Sequence, residues 1–143
     1  TANLNLYPYK DVSSEIKNAL ENENPWIRYW GLIVCSSFGI DAKEHLNNIN
    51  SIFENDSENL VKIRAAEYLL LNNLKIDSSK INNLLKNANS ESEANLMLNT
   101  LALIKTKNPN YKLELNKSVF PKKWFERENA LVNRRMNYLT DSE

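Results

Sequence analysis

Glycine is nearly missing from this chain, with two among 143 residues, and proline supplies only four. An all-β protein built on many tight turns needs more of both, so the shortage excludes that class, and Leu, Asn, Glu, Lys and Ala dominate as in helical chains. A single cysteine, Cys35, excludes an internal disulfide framework and a thiolate zinc site. Excess charge of one sign is absent too: eighteen basic residues balance eighteen acidic ones. Zero net charge argues against electrostatic capture of nucleic acid or an anionic membrane. Apolar runs such as residues 31–35 and 68–71 fall far short of the roughly twenty that span a bilayer. The chain starts with Thr rather than Met and shows no signal-peptide pattern, which fits a mature or trimmed piece of a longer protein.

What is present is helical periodicity. A length of 143 residues fits one domain, residues 1–143, that buries roughly two thirds of its unfolded surface. Residues 1–10 read as a lead-in from which Leu4, Leu6 and Tyr7 dock. From Asp11 the buried face is Ile16, Ala19 and Leu20, with Asp11, Ser13 or Ser14 as cap. Asn24 caps a second helix with Pro25 at its first position, running to about Phe38 and stopping at Gly39. Asp41 with Glu44 forms a capping-box pattern for a third helix, whose face is Leu46, Ile49, Ile52 and Phe53. A fourth follows from about Glu58, capped by Asp56 or Ser57. A fifth is capped by Asp77 or Ser78, and a sixth opens with the capping box Ser90 and Glu93 and runs through Ile104.

Superposing these helices exposes a repeat. Ile16-x-x-Ala19-Leu20, Ile49-x-x-Ile52-Phe53 and Ile81-x-x-Leu84-Leu85 recur at intervals of 33 and then 32 residues. Ile27-Arg28-Tyr29-Trp30-Gly31 falls opposite Val61-Lys62-Ile63-Arg64-Ala65, and the turns Glu21-Asn22-Glu23, Glu54-Asn55-Asp56 and Lys86-Asn87-Ala88 match as well. Apolar periodicity alone does not copy turns. Gly31 and Ala65 are the small residues that let helix backbones approach. One helix pair cannot bury its own stripe, whereas about three stacked pairs can. The expected fold is all-α: a right-handed α-α superhelix of about three helix pairs (repeats about 11–40, 41–76 and 77–106), a strap at 107–120 and a terminal helix at 121–139. The third repeat is degenerate, because Met97 takes the place of the small residue.

The repeats resemble HEAT-like repeats. Pro25-Trp26-Ile27-Arg28-Tyr29-Trp30-Gly31-Leu32 is similar to the Pro-x-Val-Arg-Tyr-Trp-Ala-Ala pattern of the helical C-terminal extension of some bacterial sulfatases. Val61-Lys62-Ile63-Arg64-Ala65-Ala66-Glu67-Tyr68-Leu69 is similar to the Val-Arg-Ile-Ala-Ala-Ala-Glu-Ala-Leu that follows in those extensions. The resemblance covers residues 7–104. It implies a parent hydrolase of sulfate esters or sulfamates, periplasmic or extracellular, using calcium and a formylglycine made in a Cys-x-Pro-Ser-Arg motif. That motif is absent here, since Cys35 is followed by Ser36, Ser37 and Phe38. The chain is therefore expected to be a non-catalytic accessory domain without cofactor of its own. Its partner would be the catalytic domain of the same polypeptide or, alternatively, a separate protein held by a HEAT-repeat scaffold. A sulfated glycan would enter only indirectly.

Candidate side chains divide by role. Cys35 reads as a core thiol. His45, with Asp41 and Glu44 nearby, reads as a lone exposed histidine rather than a metal ligand. Arg28, Asp56, Glu58, Arg64 and Glu67 form a candidate structural ladder between repeats, in which Arg28 bridges to Asp56 or Glu58 and Glu67 meets Arg28 or Arg64. Trp26, Tyr29 and Trp30 cannot all face one core, because successive helix residues point about 100° apart. They form the candidate interaction surface, with cover by the lead-in or the final helix as the plainer reading. Lys122, Lys123, Arg127, Arg134 and Arg135, interleaved with Trp124, Phe125 and Tyr138, read as a solvated basic face.

Overall fold

The computed structural model describes residues 1–126 and 130–141, and every element among them is helical or irregular. The protein is all-α. The chain divides into two compact units, Thr1–Leu74 and Lys75–Glu143, and each is taken by itself.

The first unit opens with a 3-10 turn at Leu4–Leu6, followed by α1 (Tyr9–Leu20), α2 (Pro25–Phe38), a 3-10 segment at Gly39–His45, α3 (Leu46–Asn55) and α4 (Asn59–Leu71). Helix α1 packs on α2, α3 on α4, and the two pairs meet through α2 and α4. Val12, Ile16, Ala19 and Leu20 of α1 bury against Leu32, Val34 and Cys35 of α2. Ile49, Ile52 and Phe53 supply the face of α3. Helix α4 is apolar on more than one side and buries Val61, Ile63, Ala65, Ala66, Tyr68, Leu69 and Leu70, as a helix between two neighbours must.

At Gly31 helices α1 and α2 approach closely. A Cβ there would sit 3.1 Å from the Ala19 Cβ and 3.4 Å from Leu20 Cδ2. Gly39 ends α2 at φ 58° and ψ −130°, a conformation side chains other than hydrogen resist. Its carbonyl accepts the Tyr68 hydroxyl at 3.1 Å, which satisfies a phenol otherwise buried in the core. Asn73, at φ 60°, closes α4: Leu74 N–H reaches Leu69 O at 2.8 Å and Asn73 N–H reaches Leu70 O at 3.2 Å, the Schellman pattern.

Two starts and one cap differ from those read in the sequence. Helix α1 begins at Tyr9 behind Pro8, whose carbonyl accepts Asp11 N–H at 2.9 Å. Asp11 then sits in the first turn, where the helix dipole favours it, and Ser13 is diverted to Glu44. The Asp41–Glu44 capping box does not form. Residues 39–45 are 3-10, which turns Ala42 and His45 inward together, and Glu44 accepts Tyr9 Oη and Ser13 Oγ from α1. Those tertiary partners outcompete a local cap. Helix α4 starts after Glu58, whose N–H is accepted by Asp56 Oδ1 at 3.0 Å. In the lead-in, Leu6 and Tyr7 stay exposed rather than docking.

The second unit holds α5 (Ser78–Lys86), α6 (Glu91–Lys107), 3-10 turns at Lys117–Val119 and Lys122–Trp124, and α7 (Leu131–Leu139). Asp77 caps α5 by accepting Ser79 N–H at 2.8 Å, and Ser90 caps α6 by accepting Glu93 N–H at 3.1 Å. Glu93 returns a bond from Asn89 N–H at 2.6 Å. After a turn at residues 109–110, residues 111–116 run without regular structure and are tied to α5. Ser78 Oγ accepts Glu114 N–H at 3.0 Å, while the Asn82 amide donates to Glu114 O and accepts Asn116 N–H, both at 2.8 Å. Side chains of a helix thus replace the missing partner strand, and Leu113 and Phe120 bury.

No helix runs from Pro121. One 3-10 turn lets Trp124 and Phe125 gather on Phe120, with ring centroids 5.5 and 6.3 Å away. Helix α7 instead begins at Leu131 and turns Val132, Met136 and Leu139 into the core against α6.

Candidate interaction surface on α2

Asn24 Oδ1 accepts Trp26 N–H at 2.9 Å and starts α2 so that residues 26, 29 and 30 share one face. Leu32 and Cys35 point the other way and are buried. Trp26 remains 54% exposed and Trp30 46% exposed. Tyr29 stands between them, edge-on to both, at centroid distances of 6.0 and 5.9 Å.

Tyr29 is held from α4. Arg64 Nη2 donates to its hydroxyl at 2.8 Å, the guanidinium carbon lies 5.0 Å from its ring centroid, and Arg64 Nη1 donates to Glu67 Oε2 at 2.6 Å. Burial works against the charge on Arg64, but Glu67 and the Tyr29 hydroxyl outweigh it and hold the pKa above its ordinary value. Tyr29, Arg64 and Glu67 make a charge-balanced set on this face, in which the buried Arg64 Nε lacks a hydrogen-bond partner among the described residues.

The ladder residues form two separate pairs. Arg28 grips Asp56 in a fork, Nε to Oδ2 at 2.7 Å and Nη2 to Oδ1 at 3.0 Å. Its remaining nitrogen donates to the carbonyls of Asn22 at 2.7 Å and Glu23 at 2.9 Å. The hydrogen bonds that Arg28 donates to Asp56 raise its pKa, and the charge of Glu58 adds to this. All three guanidinium nitrogens of Arg28 donate to Asp56 and the turn carbonyls, an arrangement that joins the α1–α2 turn to the start of α4. Glu67 belongs to Arg64, not to Arg28.

Cys35 is fully buried, and burial pushes its thiol up to about 12, so it offers no nucleophile. His45 is not the exposed residue its sequence context suggests. It is 5% exposed, its Nε2 has no hydrogen-bond partner, and burial lowers its pKa. Glu44 Oε1 is 3.9 Å away. Among the described residues no group of three or more His, Cys, Asp or Glu side chains is placed to hold a metal ion. Lys122, Lys123, Arg134 and Arg135 are exposed, whereas Arg127 lies outside the described residues. Leu96 and Leu103, half-exposed on α6, were not marked by the repeat. Their signal is a seven-residue interval on a helix that already has a buried stripe.

Comparison of the chain with protein-family models, with characterised proteins and with solved structures finds no match. No helix among the described residues is long and apolar enough to cross a membrane.

Proposed function

We propose that the chain is a non-catalytic, HEAT-like accessory module that docks through Trp26, Tyr29 and Trp30 onto the catalytic domain of the same polypeptide, a sulfatase-like hydrolase. The observation that carries the docking role is the pair of half-exposed indoles one helical turn apart, braced by the Tyr29–Arg64–Glu67 set. Tryptophan, tyrosine and arginine supply most of the binding energy at protein interfaces, above all where rigid. Because Arg64 is neutralised by Glu67, the face suits an apolar, uncharged counterpart. The sulfatase attribution rests on the likeness of residues 25–32 and 61–69 to the extensions of those enzymes. Calcium and formylglycine would then belong to the catalytic domain, and the compartment would be periplasmic or extracellular.

The reading frame is the first test. A Cys-x-Pro-Ser-Arg or Ser-x-Pro-x-Arg motif upstream is expected, and a frame with neither sinks the sulfatase attribution. The second is direct: Trp26→Ala with Trp30→Ala should weaken association with the separately expressed catalytic domain by about a hundredfold or more, as two central anchors do. Unchanged association would remove the aromatic face from the interface. An interaction scaffold for a separate protein is the second reading, favoured by the half-exposed indoles. It requires capture of that partner by the isolated chain.

A further inference from the structure

Helix α6 carries a buried apolar face and a second, exposed face with two leucines. One enters the core of the second unit through Ala94, Met97, Leu98, Leu101 and Ile104. The other presents Leu96, Asn99, Leu103 and Thr106, at successive steps of three, four and three residues. That stepping is the repeat of a seam along which another helix lies. Leu96 is 53% exposed and Leu103 54% exposed, so the seam is unfilled.

Helix α7 forms one bank of the seam. A groove of about 370 Å³ is lined by Asn99, Ala102, Leu103, Thr106, Arg135 and Tyr138. An adjoining one of about 230 Å³ shares Arg135 and Tyr138 and adds Leu131 and Arg134. Tyr138 is fixed in this bank: its hydroxyl shares a hydrogen bond with Thr106 Oγ1 at 2.9 Å, and Lys105 Nζ lies 5.0 Å from its ring centroid.

Among the described residues the unpaired charge around the groove is positive. Lys105 is neutralised by Asp141 and donates to Tyr138 O at 2.7 Å. Arg134 and Arg135 are exposed and make no ion pair with any described residue. Helix α7 has no acidic residue, and neither does α6 from Leu96 to its end. An occupant that fits both features is apolar along one stripe and acidic beside it.

We infer that this face receives an acidic amphipathic α-helix of a protein partner, with its apolar residues in the α6 seam and its carboxylates against Arg134 and Arg135. Helix-in-groove recognition sets anchors at i, i+3 or i+4, and i+7. The ten-residue step from Leu96 to Thr106 spans about 15 Å, so the occupant engages about three turns. The site shares no residue with the α2 face and stands whether or not the docking role proposed there holds.

The test is a fluorescence-anisotropy titration of the whole chain with a labelled peptide of about four helical turns, repeating leucine at three- and four-residue steps with glutamate elsewhere. A control peptide has lysine for every glutamate. The glutamate peptide should bind about tenfold tighter than the lysine peptide, and Leu103→Glu and Arg135→Glu should each weaken it about tenfold. Both side chains are exposed, and far-UV circular dichroism checks that the variants keep their helices; Leu103→Ser and Arg135→Gln are the milder pair. Trp30→Ala should leave the affinity unchanged. Equal affinity for the two peptides, no measurable binding, or binding that both variants leave intact overturns the inference. So does a dimer in sedimentation that Leu103→Glu abolishes, because the seam is then filled by a second copy.

Discussion

Arg28 concentrates more interactions than any other charged side chain in the first unit. It pairs with Asp56 in a fork and also caps the turn after α1 at Asn22 O and Glu23 O. Removing it leaves a carboxylate that is 4% exposed without its partner, so Arg28→Ala should destabilise by about 2–3 kcal/mol. The melting temperature should fall by roughly 5–10 °C in calorimetry, and a change within a degree would refute the role. Arg28→Lys should recover little, because an ammonium cannot reproduce the fork. His45 predicts a pH effect. Its folded pKa is depressed below the ordinary 6.5 chiefly by burial. The unfolded chain therefore binds the proton first, and stability falls as pH drops below about 6.5, levelling off once folded His45 also protonates. Glu44, Lys17 and Glu21 are the charged groups facing it, and of these Glu44 and Glu21 raise its pKa while Lys17 lowers it. Urea unfolding at pH 7.5 and 5.5 should show this loss, and His45→Gln should flatten it; an unchanged slope in that variant would assign the effect elsewhere.

At the scale of elements, one device recurs in both units: a cation reaches the carbonyl end of a neighbouring helix. Arg28 does so after α1, Lys62 donates to Glu54 O at 3.1 Å in α3, and Lys105 donates to Tyr138 O in α7. The negative end of each helix dipole meets a positive charge. Arg28 and Lys62 occupy equivalent repeat positions, so this much is legible in the sequence. Gly31 is legible too, as a small residue at a matched position. Gly31→Ala should cost about 1–3 kcal/mol, since its Cβ would meet the Ala19 Cβ at 3.1 Å; denaturant midpoints measure it, and a stabilised variant would show that α1 simply moves aside. Local pattern misled wherever a tertiary partner intervened. Glu44 is spaced for a cap but is taken by Tyr9 and Ser13 of α1. His45 is polar in context yet is turned inward by a 3-10 segment. Phe125 fits a helical stripe on paper, but Phe120 offers it a nearer ring.

For the molecule as a whole, scarce glycine and the copied turns were enough to read an all-α chain. The boundary after Leu74 carries no glycine, proline or serine run, so composition does not mark it. Trp26, Tyr29 and Trp30 stood out because later repeats lack their counterparts, whereas their brace depends on Arg64 reaching across from α4, which spacing alone does not show. Cys35 turns the first unit into its own reporter. The thiol is fully buried and its pKa is pushed up to about 12, so near pH 8 only about one molecule in ten thousand carries the reactive thiolate. An aromatic disulfide reagent should therefore react with native protein through opening of the unit, at a rate set by its opening free energy. Arg28→Ala, by lowering that free energy by about 2–3 kcal/mol, should speed labelling by roughly 30- to 150-fold in native buffer. Labelling of the parent chain within seconds would contradict the burial of Cys35. A destabilised Arg28→Ala chain that labels at the parental rate would mean that α2 opens without breaking the Arg28–Asp56 pair, and that the pair does not tie the two helix pairs into one cooperative unit.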